Sequence, residues 1–227
     1  MAKHGKKYTD IAKKAPKEAV SLQEAIAFIK ANPAAKFDET FELGMRMGCD
    51  PKKSDQMVRG TVALPNGTGK KVRILVIAAG VAADQAREAG ADFVGNDDLI
   101  EKIKGGWLDF DVAIATPDAM TNVRKLARQL GPRGLMPNPK TGTITDDTAA
   151  AVKAQKAGKV EFRMDRQGNI CVLFGKASFA EDKLLENAET IISAIRAERP
   201  SSTKGQYIKK VSVSSTMGVP VKVAIKE

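Results

Sequence analysis

The period of the hydrophobic pattern changes along this chain, and that change restricts the fold more than any other feature. Residues 72–79 (VRILVIAA) are almost continuously apolar, with Arg73 the one charge. A strand reads this way when both of its faces are covered, as in a parallel sheet packed between helices. The flanking sequence alternates instead. Phe37, Glu39, Phe41, Leu43, Met45 and Met47 fall on one face of an extended segment, with Asp38, Thr40, Glu42 and Arg46 on the other, which predicts a strand with one wet face.

Strand and helix alternate through the middle of the chain. Helices are expected at residues 82–89, stopped by Gly90, and at 97–104, closed by Gly105 and Gly106, with a short strand at 92–94 between them. A second buried strand at 111–115 leads to Pro117, which suits the first position of a helix reaching Leu130. A last helix at 146–157 opens on Asp146 and Asp147, which complement its dipole, and ends at Gly158. Half-wet strands are expected at 56–64, 160–164, 170–174, 207–214 and 219–225. Ser21 with Glu24, and Ser178 with Glu181, read as capping boxes for helices reaching about Ala31 and Arg199. The economical arrangement is an α+β discontinuous domain, residues 1–67 and 160–227, with an inserted Rossmann-like α/β domain of parallel sheet at 68–159. A two-strand hinge is expected to join them.

The chain has 227 residues and a formal charge of +10, which points to an anionic partner, most often nucleic acid. The charge is spread evenly: +4 over residues 1–67, +3 over 68–159 and +3 over 160–227, with no polybasic tail. No apolar run is long enough to span a bilayer and no secretory leader is apparent, so a cytoplasmic protein without a membrane partner is expected. Cys49 and Cys171 have no metal-ligand spacing and read as two buried free thiols. His4 is the only histidine, in a basic terminus, which removes histidine triads and zinc catalysis.

Residues 66–71 (NGTGKK) look at first like a phosphate loop, but Leu64 stands where its first glycine belongs and Lys71 where its hydroxyl belongs. The segment reads as a hinge or linker. The strand at 72–79 is followed by Gly80 alone, without the further glycines of a dinucleotide fingerprint. Asp109, Asp111, Asp97 and Asp98 are explained by capping and solvation rather than by a magnesium site. No cofactor, metal or enzymatic constellation is expected. A non-ribosomal nucleotide-binding protein or enzyme, suggested by the α/β insert alone, is the alternative reading.

Two loop regions stand out. Residues 131–143 (GPRGLMPNPKTGT) are punctuated by Pro132, Pro137 and Pro139 and by Gly131, Gly134 and Gly142, with Arg133 and Lys140 facing no acid. Neither helix nor central strand can run through them, so they form either a rigid connector or a shaped loop with a use. Residues 212–220 (SVSSTMGVP) end a strand in hydroxyls, a thioether and a glycine, a set able to meet phosphate, ribose or base, or simply a polar strand end. Phe37 is suited to stacking on a base or to the core, and its period-two register favours the core.

These segments carry a resemblance. AKFDET (35–40), DPKKSDQMVRGTVALP (50–65), GADFVG (90–95), ATPD (115–118), LGPRGLMPNPKTGT (130–143), GKASF (175–179) and STMG (215–218) resemble, in order, the motifs of the bacterial large-subunit ribosomal protein L-one family, the ribosomal stalk proteins. The resemblance covers nearly the whole chain. It implies a split rRNA-binding domain, an inserted domain that swings about two linkers, and a structural role holding the rRNA of the mobile stalk. It also implies help in releasing deacylated tRNA from the exit site, and repression through binding to the protein's own operon mRNA. The implied partners are large-subunit rRNA, that mRNA, exit-site tRNA and other ribosomal components, for a protein that is a monomer off the ribosome. RNA-contacting roles carry over to Phe37, Thr40, Thr216, Met217 and Gly218, with Lys36, Lys176 and Ser215 beside them and Arg133 and Lys140 as secondary contacts. Val219 stands before Pro220, where the resemblance leads one to expect proline directly after STMG.

Overall fold

The computed structural model describes residues 5–224, so His4 lies outside the described residues. The first half of the chain forms α1 (Lys6–Lys14), α2 (Leu22–Ala31), β1 (Thr40–Met47), β2 (Arg59–Ala63), β3 (Ile74–Ile77), α3 (Val81–Glu88), β4 (Phe93–Gly95) and α4 (Asp97–Lys104). Then come β5 (Val112–Ala115), α5 (Met120–Val123), α6 (Ala127–Leu130), α7 (Thr148–Lys156), β6 (Lys159–Arg163), β7 (Asn169–Lys176), α8 (Glu181–Ala197), β8 (Ile208–Ser215) and β9 (Val221–Val223). They gather into two compact units, Met1–Gly69 with Val160–Glu227, and Lys70–Lys159. The molecule is thus a mixed α/β protein with one antiparallel and one parallel main sheet. Among the described residues, no helix is long and apolar enough to cross a membrane.

In the first unit the sheet order is β7-β1-β8-β9, antiparallel throughout, with β1 near the middle. The alternation read from the sequence decides what each face meets. Phe41, Leu43, Met45 and Met47 are buried with Ile170, Val172, Phe174 and Val213, and α2 and α8 close over them through Ile26, Ile29, Leu184, Ile191 and Ile195. Burying such a side chain contributes about 1.5–3 kcal/mol each. The opposite parity faces outward, which places Cys171 on the exposed face while Cys49 is buried. The expectation of two buried thiols is therefore wrong for Cys171, because its strand neighbours Ile170 and Val172 take the inward positions. β2 and β6 form a separate two-stranded sheet, in which the Met164 N–H donates to the Val58 carbonyl (2.9 Å). Phe162 lies so close to Gly60 that a Cβ there would sit 2.7 Å from its ring.

One capping box forms and the other does not. Ser21 Oγ accepts from the Glu24 N–H (3.2 Å) and Glu24 Oε2 accepts from the Ser21 N–H (3.1 Å), as the spacing predicts. Ser178 instead donates to Asp38, so α8 starts without a side-chain cap, at Ala180. The short α1 had no counterpart in the sequence reading; it is mostly solvated, with no buried residue. Residues 66–69 are docked on α8: the buried Asn187 accepts from the Asn66 N–H (3.2 Å) and donates to the Gly67 carbonyl (3.0 Å).

The second unit shows why residues 74–77 are apolar at every position. β3 lies between β4 and β5 in a parallel sheet. Ile74 and Val76 join Ala83, Ala86 and Val152 on one side, while Leu75 and Ile77 join Leu99, Ile103, Val123, Leu126 and Leu130 on the other. Helices thus cover both faces. The helix expected from Pro117 begins at Met120 after a turn, and tightens to a 3-10 segment over Arg124–Leu126. The inward side chains Met120, Val123, Leu126 and Leu130 recur at three, three and four residues, and the tighter winding keeps Leu126 on the core. Asp97 is in the first turn of α4, but the cap position belongs to Asn96. Asp109 and Asp111 do more than solvate a strand start: they bind Arg73 (3.0 and 3.2 Å), and Asp111 also binds Lys70 (2.7 Å).

Candidate nucleic-acid interface

The antiparallel register brings three distant segments to one end of the main sheet. Thr40 opens β1, and its neighbours across the ladder come from the far ends of β7 and β8: Thr40 pairs with Lys176, and Phe41 with Ser215. Side chains then tie the segments together. The Thr40 N–H donates to Thr216 Oγ1 (2.9 Å), the Thr216 N–H donates to the Thr40 carbonyl (3.0 Å), and Lys176 Nζ donates to Thr40 Oγ1 (2.9 Å). Lys176, Thr40 and Thr216 therefore form one chain of polar groups, with a cation at one end.

The loop before β1 is pinned in place by residues the sequence reading had not marked. Asp38 accepts from the Ser178 N–H (2.9 Å) and from the Ser178 hydroxyl (3.0 Å), joining the loop to the turn after β7. The buried Glu39 accepts from the Ala35 N–H (2.6 Å), while its own carbonyl accepts from the Ala177 N–H (2.8 Å). Lys30 reaches from α2 to the Phe179 carbonyl (2.7 Å). With its backbone fixed on both sides, Phe37 is 59% exposed. The expectation that its register carries it into the core fails, since β1 begins only at Thr40 and Phe37 lies in the preceding loop.

Beyond β8 the chain turns over Ser215 to Gly218, where the Gly218 N–H donates to the Ser215 carbonyl (3.0 Å). Met217 projects with 59% exposure while Ser215 is buried, and the Ser215 hydroxyl finds no hydrogen-bond partner among the described residues. Val219 is buried and Pro220 exposed, so the residue before the proline serves the core. This sheet end thus presents two exposed apolar side chains, a row of hydroxyls, and the cations Lys36 and Lys176. Such a set can stack on bases, hydrogen-bond ribose or phosphate, and neutralise backbone charge.

A family model described as the Ribosomal protein L1p/L10e family matches residues 28–219, which span every segment of this sheet end. The chain belongs to that family. It is also similar to a protein of Lactobacillus acidophilus named Large ribosomal subunit protein uL1, at 54% identity over 223 residues, 98% of this chain and 97% of that one. The resemblance read from the motifs is thereby shown. In this L1p/L10e member, Lys36, Phe37, Thr40, Lys176, Ser215, Thr216, Met217 and Gly218 all come from the first unit, and the strand ends gather them. Arg133 and Lys140 belong to the second unit. There they are exposed on two 3-10 turns, Gly131–Arg133 and Pro139–Thr141, each closed by a left-handed glycine, Gly134 (φ 71°) and Gly142 (φ 65°). Asn138 braces the second turn by accepting from the Lys140 N–H (2.9 Å) and from Thr141 and Thr143 hydroxyls (3.0 and 3.1 Å).

Proposed function

We propose that this protein is a structural, non-enzymatic RNA-binding component of the large ribosomal subunit in the cytoplasm, and that it holds the rRNA of the mobile stalk. Membership of the L1p/L10e family and the name of the Lactobacillus relative support the ribosomal role. The observation that carries the site is the joining of Thr40, Lys176 and Thr216 beside the exposed Phe37 and Met217. In this reading Phe37 and Met217 lie against bases or sugars, and the hydroxyl row and Gly218 approach the RNA backbone. Lys36 and Lys176 neutralise phosphates, releasing counterions. The second unit swings about the two chain crossings, and the movement helps deacylated tRNA leave the exit site. Off the ribosome the protein is a monomer, and the same sheet end binds a mimic of its rRNA site on its own operon mRNA, limiting its synthesis.

The test is binding of the full chain to a stalk rRNA fragment. Affinity is expected to fall linearly with salt on logarithmic axes, and Thr216→Ala or Met217→Ala to cost about 1–3 kcal/mol each, in line with specific contacts. If both variants bind the fragment as tightly as the parent chain, the site assignment is wrong. Competition between the fragment and the operon leader RNA for one site would support repression, and simultaneous binding of both would exclude a shared surface.

A further inference from the structure

The second unit contains a stretch with no acid. Between Asp118 and Asp146 lie Arg124, Lys125, Arg128, Arg133 and Lys140, and not one Asp or Glu. The unit as a whole has 14 cations and 11 acids, so outside this stretch it holds 9 cations against 11 acids. A charge of +3 for the unit therefore hides a separation of sign.

The fold leaves the cations of that stretch exposed. Met120, Val123, Leu126 and Leu130 are buried against the core under Leu75 and Ile77. Arg124, Lys125 and Arg128 of the same helical segment are exposed. Leu135 and Met136 pack onto that core, Pro137 is buried, and Asn138 holds the second turn, leaving Arg133 exposed on the first turn and Lys140 on the second. None of the five cations forms an ion pair with a described carboxylate; Lys125 donates to the Asn122 amide oxygen (3.0 Å). No aromatic residue occurs anywhere in 119–145, so the stretch itself offers charge without a stacking platform.

We propose that the exposed cations of this acid-free stretch of the second unit take the sugar-phosphate backbone of a folded RNA without reading its bases. It rests on the proposed function only for the class of partner, and it uses none of the sheet-end residues. Three of its cations, Arg124, Lys125 and Arg128, carry no mark in the sequence motifs. Backbone contact of this kind is governed by counterion release, which makes its signature a salt slope rather than a sequence preference.

The test compares the full chain with R124Q/K125Q/R128Q/R133Q/K140Q and with T216A/M217A, using a short duplex RNA of arbitrary sequence and, in parallel, the stalk fragment. Between about 50 and 200 mM salt, the quintuple variant should lose roughly 0.7–0.9 in slope for each phosphate contact removed. At the low-salt end its duplex affinity should fall by about tenfold or more, whereas T216A/M217A removes no charge and should keep the parent's salt slope on duplex whatever it does to affinity. R124K/R128K/R133K keeps the charges and should retain the parent slope. An unchanged slope in the quintuple variant, with its thermal melt intact, overturns the proposal. So does a parent chain that binds phosphatidylserine vesicles but not duplex RNA. Failure of the parent to bind the stalk fragment, with duplex binding and its charge dependence retained, would instead remove the sheet-end reading and leave this one standing.

Discussion

Gly218 and Ser215 share a turn in which the glycine leaves room for a buried hydroxyl. A Cβ on residue 218 would run into Ser215 Oγ, so Gly218→Ala must displace either the serine or the turn that presents Met217. Gly218→Ala is expected to lower affinity for the stalk fragment about tenfold or more, as loss of a specific contact does, with little change in the melting of the protein. Unaltered binding would show that the turn is not at the interface. Asp38 acts at one remove, through Ser178. Asp38→Ala should weaken fragment binding through the freed Phe37 loop, and Asp38→Asn, which keeps an acceptor, should restore most of it. Thr216 is legible from the hydroxyls, thioether and glycine that end its strand, whereas Lys176 is legible only through the family resemblance of its motif. Asp38 with Ser178 was not legible, because 140 residues separate the partners and each fits an ordinary local role, a turn acid and a helix cap.

Elements were more readable than residues, where one physical pattern settled them. β3 has neighbours on both faces and so needs apolar side chains at every position, which the sequence displays directly. The segment after Pro117 is helical from Met120 to Leu130 as expected, and only its 3-10 turn at Arg124–Leu126 has no signal in the sequence. The charge cluster at the foot of β3 makes a prediction of its own. Asp111 accepts from Lys70 Nζ (2.7 Å), from the Arg73 N–H (3.1 Å) and from Arg73 Nε (3.2 Å). Lys70 foremost, then the Arg73 backbone and side chain, pull its pKa from 3.8 to about 2 against the opposing effect of burial. Folding thus favours the ionised carboxylate, a stabilisation that is complete above the ordinary value and fades as pH falls toward 2. Asp111→Asn should cost about 1 kcal/mol in urea unfolding at neutral pH, the usual worth of a hydrogen-bonded pair near the surface. The gap between parent and variant should close on acidification; a gap of constant size would exclude Asp111 as its source.

The molecule as a whole combines one unit made of both chain ends with one made of a continuous stretch. If the proposed division of labour holds, replacing residues 70–159 by a short glycine linker should leave a folded protein that still binds the stalk fragment, with a reduced salt slope. Circular dichroism would confirm folding, and loss of binding by a folded remnant would assign the contacts to the other unit. The alternation of strand periods made both units visible in outline, whereas the register that unites Thr40 with Lys176 and Ser215 is a long-range property of the sheet.

The position of β1 between β7 and β8 also sets an order of events during synthesis. The ribosome completes β1 early, yet both strands that flank it emerge only after the whole second unit has been made. Until then Phe41, Leu43, Met45 and Met47 have no sheet to enter, while the continuous unit can already fold. The proposed RNA-binding end can therefore assemble only after residues 215–218 have been made. Under the proposed autoregulation, a chain not yet translated through Gly218 would not silence its own message.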